Sequence, residues 1–102
     1  MNYPKQLIES TSTPDHPQQK WRIHHLLELM VKELVDHPDG VSIEMIEGAQ
    51  AIVFEVTVEP EDIRRVIGRR GHIADALRVL LTSYGGIARR RYLLEIIEPV
   101  WE

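Results

Sequence analysis

The chain has 102 residues, 43% of them hydrophobic, which fits one small domain with a single core and leaves no room for a second domain. It contains no cysteine, which excludes a disulfide framework, a thiolate nucleophile and a zinc–thiolate site. The net charge of −4 argues against a polyanionic ligand, but the charge is unevenly distributed. Residues 60–91 hold eight arginines and three acidic residues, a net +5, whereas the rest of the chain carries −9.

The first 20 residues predict a disordered or loosely attached tail, because Pro4, Pro14 and Pro17 lie among polar residues with no apolar period. This segment lacks the basic stretch and apolar run of a secretory signal, and no later apolar segment is long enough to span a bilayer. We expect a soluble, cytoplasmic protein without a membrane partner.

The pattern changes at Trp21, where an amphipathic helix is predicted to begin and to continue to about His37. The residues from Pro38 to Gly40 are typical of a turn, and a proline disfavours helical geometry in the residue before it. The apolar residues of the helix recur at helical spacing: Ile23, Leu26, Leu27, Met30, Leu34 and Val35.

Two strands are predicted next, because apolar and polar residues alternate from Val41 to Glu47 and again from Ile52 to Glu59. The short connection 48–50 makes them a hairpin. Four glutamates of this pair could be interpreted as paired carboxylates, but the outer face of a half-covered sheet explains them more simply. They are Glu44, Glu47, Glu55 and Glu59.

Pro60 suits the first turn of a short helix that is predicted to end near Ile67. A second helix follows from Ile73 to Tyr84, where Gly85 and Gly86 are expected to terminate it, and residues 91–97 predict a third strand. The order α-β-β-α-α-β predicts an α+β domain with three helices on one face of a three-stranded mixed sheet.

The two helices flank Gly68-Arg69-Arg70-Gly71, which we call the GRRG loop. Two glycines three residues apart allow a tight turn and a close approach to a ligand. The N–H groups that follow Gly71, at the positive end of the next helix, favour an anion such as phosphate. Arg69 and Arg70 add forked donors, so we expect the N–H groups to bind the phosphate and the arginines mainly to add charge.

Apolar residues border this charged loop and could receive bases while phosphates lie at the loop. Basic residues one helical turn before the loop could contact the backbone of the same RNA strand. The residues predicted to bind RNA, besides the loop itself, are Arg64, Arg65, Ile67, His72, Ile73 and Leu77.

The segment from Ile63 to Arg78 closely resembles the core of KH domains, in which an apolar V-I-G leads into a basic G-x-x-G and a helix. The element order resembles the type II, bacterial arrangement, and residues 21–98 resemble the small stand-alone KH proteins of bacteria, once an uncharacterised family. The resemblance implies a single-stranded RNA-binding protein that acts as an RNA chaperone or post-transcriptional regulator and pairs with itself or with a larger KH-containing partner. It does not extend to the tail or to residues 99–102, and the loop has Arg-Arg where Lys more usually comes first.

Other features have simpler explanations. Arg89-Arg90-Arg91 could extend a phosphate track or could be a solvated start of a strand. His24, His25 and Glu28 could suggest a metal site, because His24 and Glu28 lie four apart on one helical face. No third ligand is evident, so no metal or other cofactor is expected. Catalytic motifs are missing, so the chain is not expected to be an enzyme.

The alternative to an RNA-binding module is a dimerisation or adaptor module in which RNA binding is secondary. It rests on the outer sheet face, where Ile46, Val53, Glu55 and Thr57 could form a partly apolar patch. Trp21 and Trp101, near the two ends, could serve an interface or cap the core, and the cap is favoured. Because one KH domain binds weakly, we expect a homodimer or a partner KH protein to supply avidity.

Overall fold

The computed structural model describes residues 19–98. Residues 1–18 of the predicted tail and the C-terminal residues 99–102, with Trp101, lie outside the described residues. The elements follow in the predicted order: α1 (Gln19–Leu34), β1 (Ser42–Glu47), β2 (Ala51–Thr57), α2 (Ile63–Ile67), α3 (His72–Ala88) and β3 (Arg91–Ile96). Single 3₁₀ turns at Pro38–Gly40, Pro60–Asp62 and Arg69–Gly71 connect them.

The sheet has the strand order β1-β2-β3, with β1 antiparallel and β3 parallel to the central strand β2. The mixed sheet and the α+β class are therefore confirmed. Alternation places the buried residues of each strand on the face that the helices cover, so the other face stays open. Phe54 of the central strand is fully buried and meets Tyr92 of β3 edge to face, with ring centroids 5.5 Å apart.

One apolar core lies between the helices and the sheet. Helix α1 buries every fourth residue, Ile23, Leu27 and Val31, and α3 buries Leu77 and Leu81. This spacing is what the amphipathic pattern requires, because residues four apart share one helical face.

The predicted end of the second long helix is wrong. Helix α3 continues through Gly85 and Gly86 to Ala88 and ends at Arg89, which takes the left-handed conformation (φ 59°, ψ 36°). A Cβ atom on Gly85 would lie 2.4 Å from the carbonyl oxygen of Arg90. Gly85 therefore serves close packing of the helix against the chain entering β3, and not helix termination.

Smaller differences concern other boundaries. Helix α1 begins at Gln19, two residues before the predicted start, and ends at Leu34, before the predicted end near His37. Pro60 opens a 3₁₀ turn, and the regular helix α2 begins only at Ile63. Element ends depend on local capping more than on apolar period, so shifts of this size are common.

A buried carboxylate joins the start of α2 to the end of α1. Asp62 is 1% exposed and accepts hydrogen bonds from the backbone N–H groups of Asp36 (3.1 Å) and His37 (3.0 Å). Its second oxygen also lies 3.0 Å from Nδ1 of the His37 ring. Burial by itself raises the pKa of Asp62, but these hydrogen bonds together outweigh it and leave the pKa below its usual value. Asp62 thereby fixes the segment that leads into the GRRG loop.

Candidate nucleic-acid interface

The GRRG loop is a single tight turn with three residues of positive φ. Gly68 closes α2 at φ 79°, and its N–H donates to the carbonyl oxygen of Arg64. Arg70 follows at φ 57° and Gly71 at φ 77°, directly before α3. A non-glycine residue seldom adopts the left-handed region, so the turn holds Arg70 in a conformation that costs free energy.

The two glycines are needed for different reasons. A Cβ atom on Gly68 would lie 2.6 Å from Cγ1 of Ile73, so the turn packs closely against the first turn of α3. Gly71 has open space around it, and only its backbone conformation favours glycine. Both observations agree with a loop that exposes its backbone and its two arginine side chains.

The backbone N–H groups at the start of α3 are less available than the sequence suggests. The N–H of Gly71 donates to the carbonyl oxygen of Gly68 at 3.1 Å, and the N–H of His72 donates to that of Arg69. Of the N–H groups expected to bind phosphate, which follow Gly71, that of His72 is thus engaged inside the turn. The division of phosphate binding between these N–H groups and the arginines stays a prediction.

The arginines of the loop are exposed. Arg69 and Arg70 make no ion pair within residues 19–98. One turn earlier, Arg65 lies 3.0 Å from a carboxylate oxygen of Asp36, whereas Arg64 is exposed and has no such pair in the described part of the chain. At this end of α3, the guanidinium groups of Arg64, Arg69 and Arg70 are therefore free to pair with a ligand, whereas that of Arg65 is paired with Asp36.

The apolar residues that were predicted to border the loop lie partly in the core and partly at the surface. Leu77 is 6% exposed and belongs to the core, so it offers little contact area. Ile67 and Ile73 are half-buried, and His72 is exposed beside the loop. An apolar groove of about 410 Å³ opens between α1 and α3 next to the loop, and Ile67 is not part of its lining. The groove is lined by Met30, Glu33, Leu34, His72, Ile73, Ala76 and Leu77.

Residues that suggested other sites have structural partners. Nε2 of His24 lies 2.6 Å from the carbonyl oxygen of Ile43, which connects α1 to β1. Among residues 19–98, no three His, Asp or Glu side chains are grouped so that they could hold a metal ion. No helix in this part of the chain is long and apolar enough to cross a membrane.

The arginine run does not continue the loop. Helix α3 has 17 residues and rises about 25 Å between the GRRG loop and Arg89. Arg89, Arg90 and Arg91 thus lie at the opposite end of the helix and are not adjacent to Arg69 and Arg70.

Comparison with known proteins agrees with this geometry. The family model for the KH domain of KhpA and KhpB matches residues 24–96, which include most of α1, the sheet and the GRRG loop. The chain belongs to the KhpA/KhpB KH-domain family. The predicted type II KH fold and the family resemblance are confirmed, and so is the prediction that the chain is not an enzyme, because this is a family of non-enzymatic RNA-binding proteins.

Individual relatives are matched over nearly their whole length. RNA-binding protein KhpA of Aquifex aeolicus is 45% identical over 73 residues, which are 72% of this chain and 92% of that protein. The KhpA protein of Borreliella burgdorferi is 42% identical over 73 residues, 72% of this chain and 89% of its own. That of Listeria monocytogenes is 40% identical over 76 residues, 74% of this chain and all of the relative.

Two parts of the site were not predicted from the sequence, namely the contribution of α1 to the groove and the role of Asp62. Met30 and Leu34 line the groove from α1, although their helical period indicated only core packing. Asp62 fixes the start of α2, but a carboxylate next to Glu61 indicates only a charge that favours the helix N-terminus. Only the fold brings these residues to the loop, so no local signal could have identified them.

Proposed function

We propose that this chain binds the backbone of single-stranded RNA at the GRRG loop. The observation that carries the proposal is a glycine-bounded turn that presents Arg69 and Arg70 to solvent without an ion pair in the described residues. Arg64 adds a third exposed guanidinium one turn earlier. Guanidinium groups pair with phosphate oxygens through two parallel hydrogen bonds, and the relatives that match the chain are called RNA-binding proteins.

Replacing Arg69 and Arg70 with Asp tests this proposal. We expect loss of binding to a short unstructured RNA, because the change reverses charge where the phosphates would lie. The matched control, K32Q/R78Q, removes two positive charges elsewhere and should retain most of the affinity. Circular dichroism should show both variants folded. The proposal fails if R69D/R70D binds RNA as tightly as the unchanged chain.

The groove between α1 and α3 is the part of the site best suited to a base. It lies directly beside His72 and Ile73, its lining is almost wholly apolar, and its size is within the range of small-ligand sites. In this arrangement the arginines set the position of the RNA backbone and the groove sets base preference. Ile67 and the exposed edge of Ile73 complete the apolar surface.

A protein that holds unpaired RNA without reading a long sequence suits the role of an RNA chaperone or post-transcriptional regulator. Bound single strands are kept from misfolding and are released when a complementary strand competes. The proposed compartment is the cytoplasm, and a chain without cysteine is compatible with it.

Self-association would supply the avidity that one weak site lacks. The surface that favours it is a stripe on α3, where Leu80 and Ile87 follow Ile73 at intervals of seven residues and are 40% and 54% exposed. Exposed Leu26 and Leu29 on α1 add apolar area. A homodimer, or a heterodimer with a larger KH-containing protein, would bury this stripe.

The open sheet face supports the adaptor alternative less well. Ile46, Val53 and Leu93 form an apolar row across the three strands. The neighbouring row consists of three carboxylates, Glu44, Glu55 and Glu95. An identical copy or an RNA that bound these two rows would meet that negative charge, so this part of the face is the weaker candidate for either partner.

Two charge substitutions decide between the surfaces. Leu80→Glu should convert a dimer to a monomer in light scattering, whereas Ile46→Glu on the open sheet face should leave the dimer intact. The reverse pattern would assign the interface to the sheet, and a strict monomer of the unchanged chain at all concentrations would remove the homodimer.

Ala76→Trp fills the groove and should weaken RNA binding without changing the oligomeric state. If it dissociates the dimer and spares RNA binding, the groove belongs to the partner interface.

A further inference from the structure

A second basic cluster lies at the end of α3 farthest from the GRRG loop. Arg89 closes the helix and Arg90 reaches toward the carbonyl oxygen of Gly48 in the hairpin turn (Nη2 to O, 3.5 Å). Arg91 begins β3. Lys20, near the start of α1, is brought to the same hairpin, because its ammonium group contacts Glu47.

The cluster has more cations than carboxylates. Among residues 19–98, the ion pairs of its four cationic side chains involve one carboxylate, that of Glu47, which pairs with Lys20. The hydrogen bond from Lys20 lowers the pKa of Glu47, and the charge of Arg90 acts in the same direction. Arg89 and Arg91 are exposed and make no ion pair among residues 19–98. Positive charge is therefore left uncompensated at this end.

Backbone geometry gives an independent observation. Arg89 has φ 59°, and it occupies the position after a helix where glycine is the usual residue because the left-handed conformation disfavours a Cβ atom. In the described chain the other non-glycine residue with positive φ is Arg70 of the GRRG loop. Both ends of α3 thus hold an arginine in a strained position where glycine would be more stable, and such strain is concentrated at functional sites.

Helix electrostatics explains only part of the cluster. Arginines near a helix C-terminus interact favourably with its dipole, but this effect is confined to the last turn. Arg91 lies in β3 on the open face of the sheet, beyond that range, and Ala51 is its neighbour across the strands. Stabilisation of α3 therefore does not account for Arg91.

We propose that Arg89 and Arg91, with Arg90 and Lys20 beside them, form a second binding surface for RNA phosphates. This proposal rests on the proposed function of the GRRG loop and extends it. An RNA longer than the few nucleotides held at the loop would bind both ends of α3, about 25 Å apart. Guanidinium groups pair with phosphates and with carboxylates alike. RNA is preferred here because the GRRG loop at the other end of the same helix is proposed to bind it.

RNA length separates the two surfaces. Binding is measured for the full chain with unstructured RNAs of about 4 and about 20 nucleotides, over a range of salt concentrations. The variants are R89Q/R91Q, the charge-retaining R89K/R91K and the control K32Q/R78Q. Gln and Lys both keep a Cβ atom at position 89, so the backbone strain is unchanged. Thermal unfolding checks that each variant is folded.

We expect R89Q/R91Q to bind the short RNA as the unchanged chain does and to bind the long RNA about tenfold more weakly. The slope of log affinity against log salt for the long RNA should fall by about 0.7 for each phosphate that the variant no longer neutralises. R89K/R91K and K32Q/R78Q should stay close to the unchanged chain.

Equal binding of the long RNA by R89Q/R91Q and the control overturns the second surface and leaves the proposed function intact. Weaker binding of the short RNA by R89Q/R91Q also overturns it, because the effect would then act through the loop or the fold. If the unchanged chain binds neither RNA, the proposed function itself fails, and the second surface fails with it.

Discussion

The two ends of α3 carry similar sequence signals, glycines beside arginines, and use them differently. At the GRRG loop the glycines face open space or the first turn of the helix, and the turn presents Arg69 and Arg70 to solvent. At the other end Gly85 is pressed against the backbone of Arg90 and Tyr92, and the arginines follow the helix. Close packing alone does not separate the two ends, because Gly68 also packs against Ile73. They differ in that Gly68 and Gly71 take positive φ and form the turn, whereas Gly85 lies inside the helix.

The largest effect expected from this comparison concerns Gly68. Gly68→Ala should abolish RNA binding, because its Cβ would overlap Ile73 and its backbone is at φ 79°. Affinity is measured with a short RNA by fluorescence anisotropy. Gly71→Ala is the matched change in open space and should weaken binding less. Equal affinities of the two variants would contradict the role of close packing at Gly68.

At the far end the expected effect is on stability. Gly85→Ala should lower the free energy of unfolding by about 2 kcal/mol or more, because its methyl group would meet the carbonyl oxygen of Arg90 at 2.4 Å. The neighbouring Gly86→Ala has free space and lies within the helix, so it should raise the free energy of unfolding by about 0.5–1 kcal/mol. Urea unfolding measures both. A stabilising G85A would refute the packing role of Gly85.

A smaller effect, on the pH dependence of stability, is expected at the contact between Asp62 and His37, which precedes the loop. The hydrogen bond with Asp62 raises the pKa of His37 above 6.5, so protonated His37 stabilises the fold below about pH 6.5, and this is lost as pH rises through the raised pKa. Asp62 has its pKa below 3.8, so its stabilisation is present above about pH 4 and is lost as pH falls through the lowered pKa.

The melting temperature should therefore be highest between about pH 4 and 6.5. Asp62→Asn should lower it and flatten its dependence on pH, because the amide accepts the N–H groups through one oxygen and carries no charge for His37. If the melting temperature of this variant depends on pH as that of the unchanged chain does, the contact between Asp62 and His37 does not govern this dependence.

Much of the fold was predictable because the sequence patterns are local. Alternation marked β1 and β2, and the content of Leu, Ile and Tyr marked β3. The helical period marked α1, although the predicted apolar residues included Leu26, which is exposed, and omitted Val31, which is fully buried. The position of the loop between two helices was also predictable. The end of α3 was not, because the role of Gly85 depends on where β3 returns.

The candidate site was predictable only in its basic part. Arg69 and Arg70 are exposed as expected, whereas Leu77 belongs to the core and the N–H of His72 is used within the turn. Hydrogen bonds of this kind depend on the exact φ and ψ of the turn, which residue types do not determine. The contribution of α1 to the groove and the separation of the two basic ends required the packed structure.

Binding of short single-stranded RNA at the GRRG end of α3 is the proposal on which the others depend. Backbone amide chemical shifts of the full chain, followed by NMR during titration with an RNA of about 4 nucleotides, test it most directly. We expect shifts concentrated from Arg64 to Ile73, with those of Arg89–Arg91 and of the open sheet face unchanged. Shifts concentrated on the row of Ile46, Val53 and Leu93, with the GRRG loop unaffected, would contradict it.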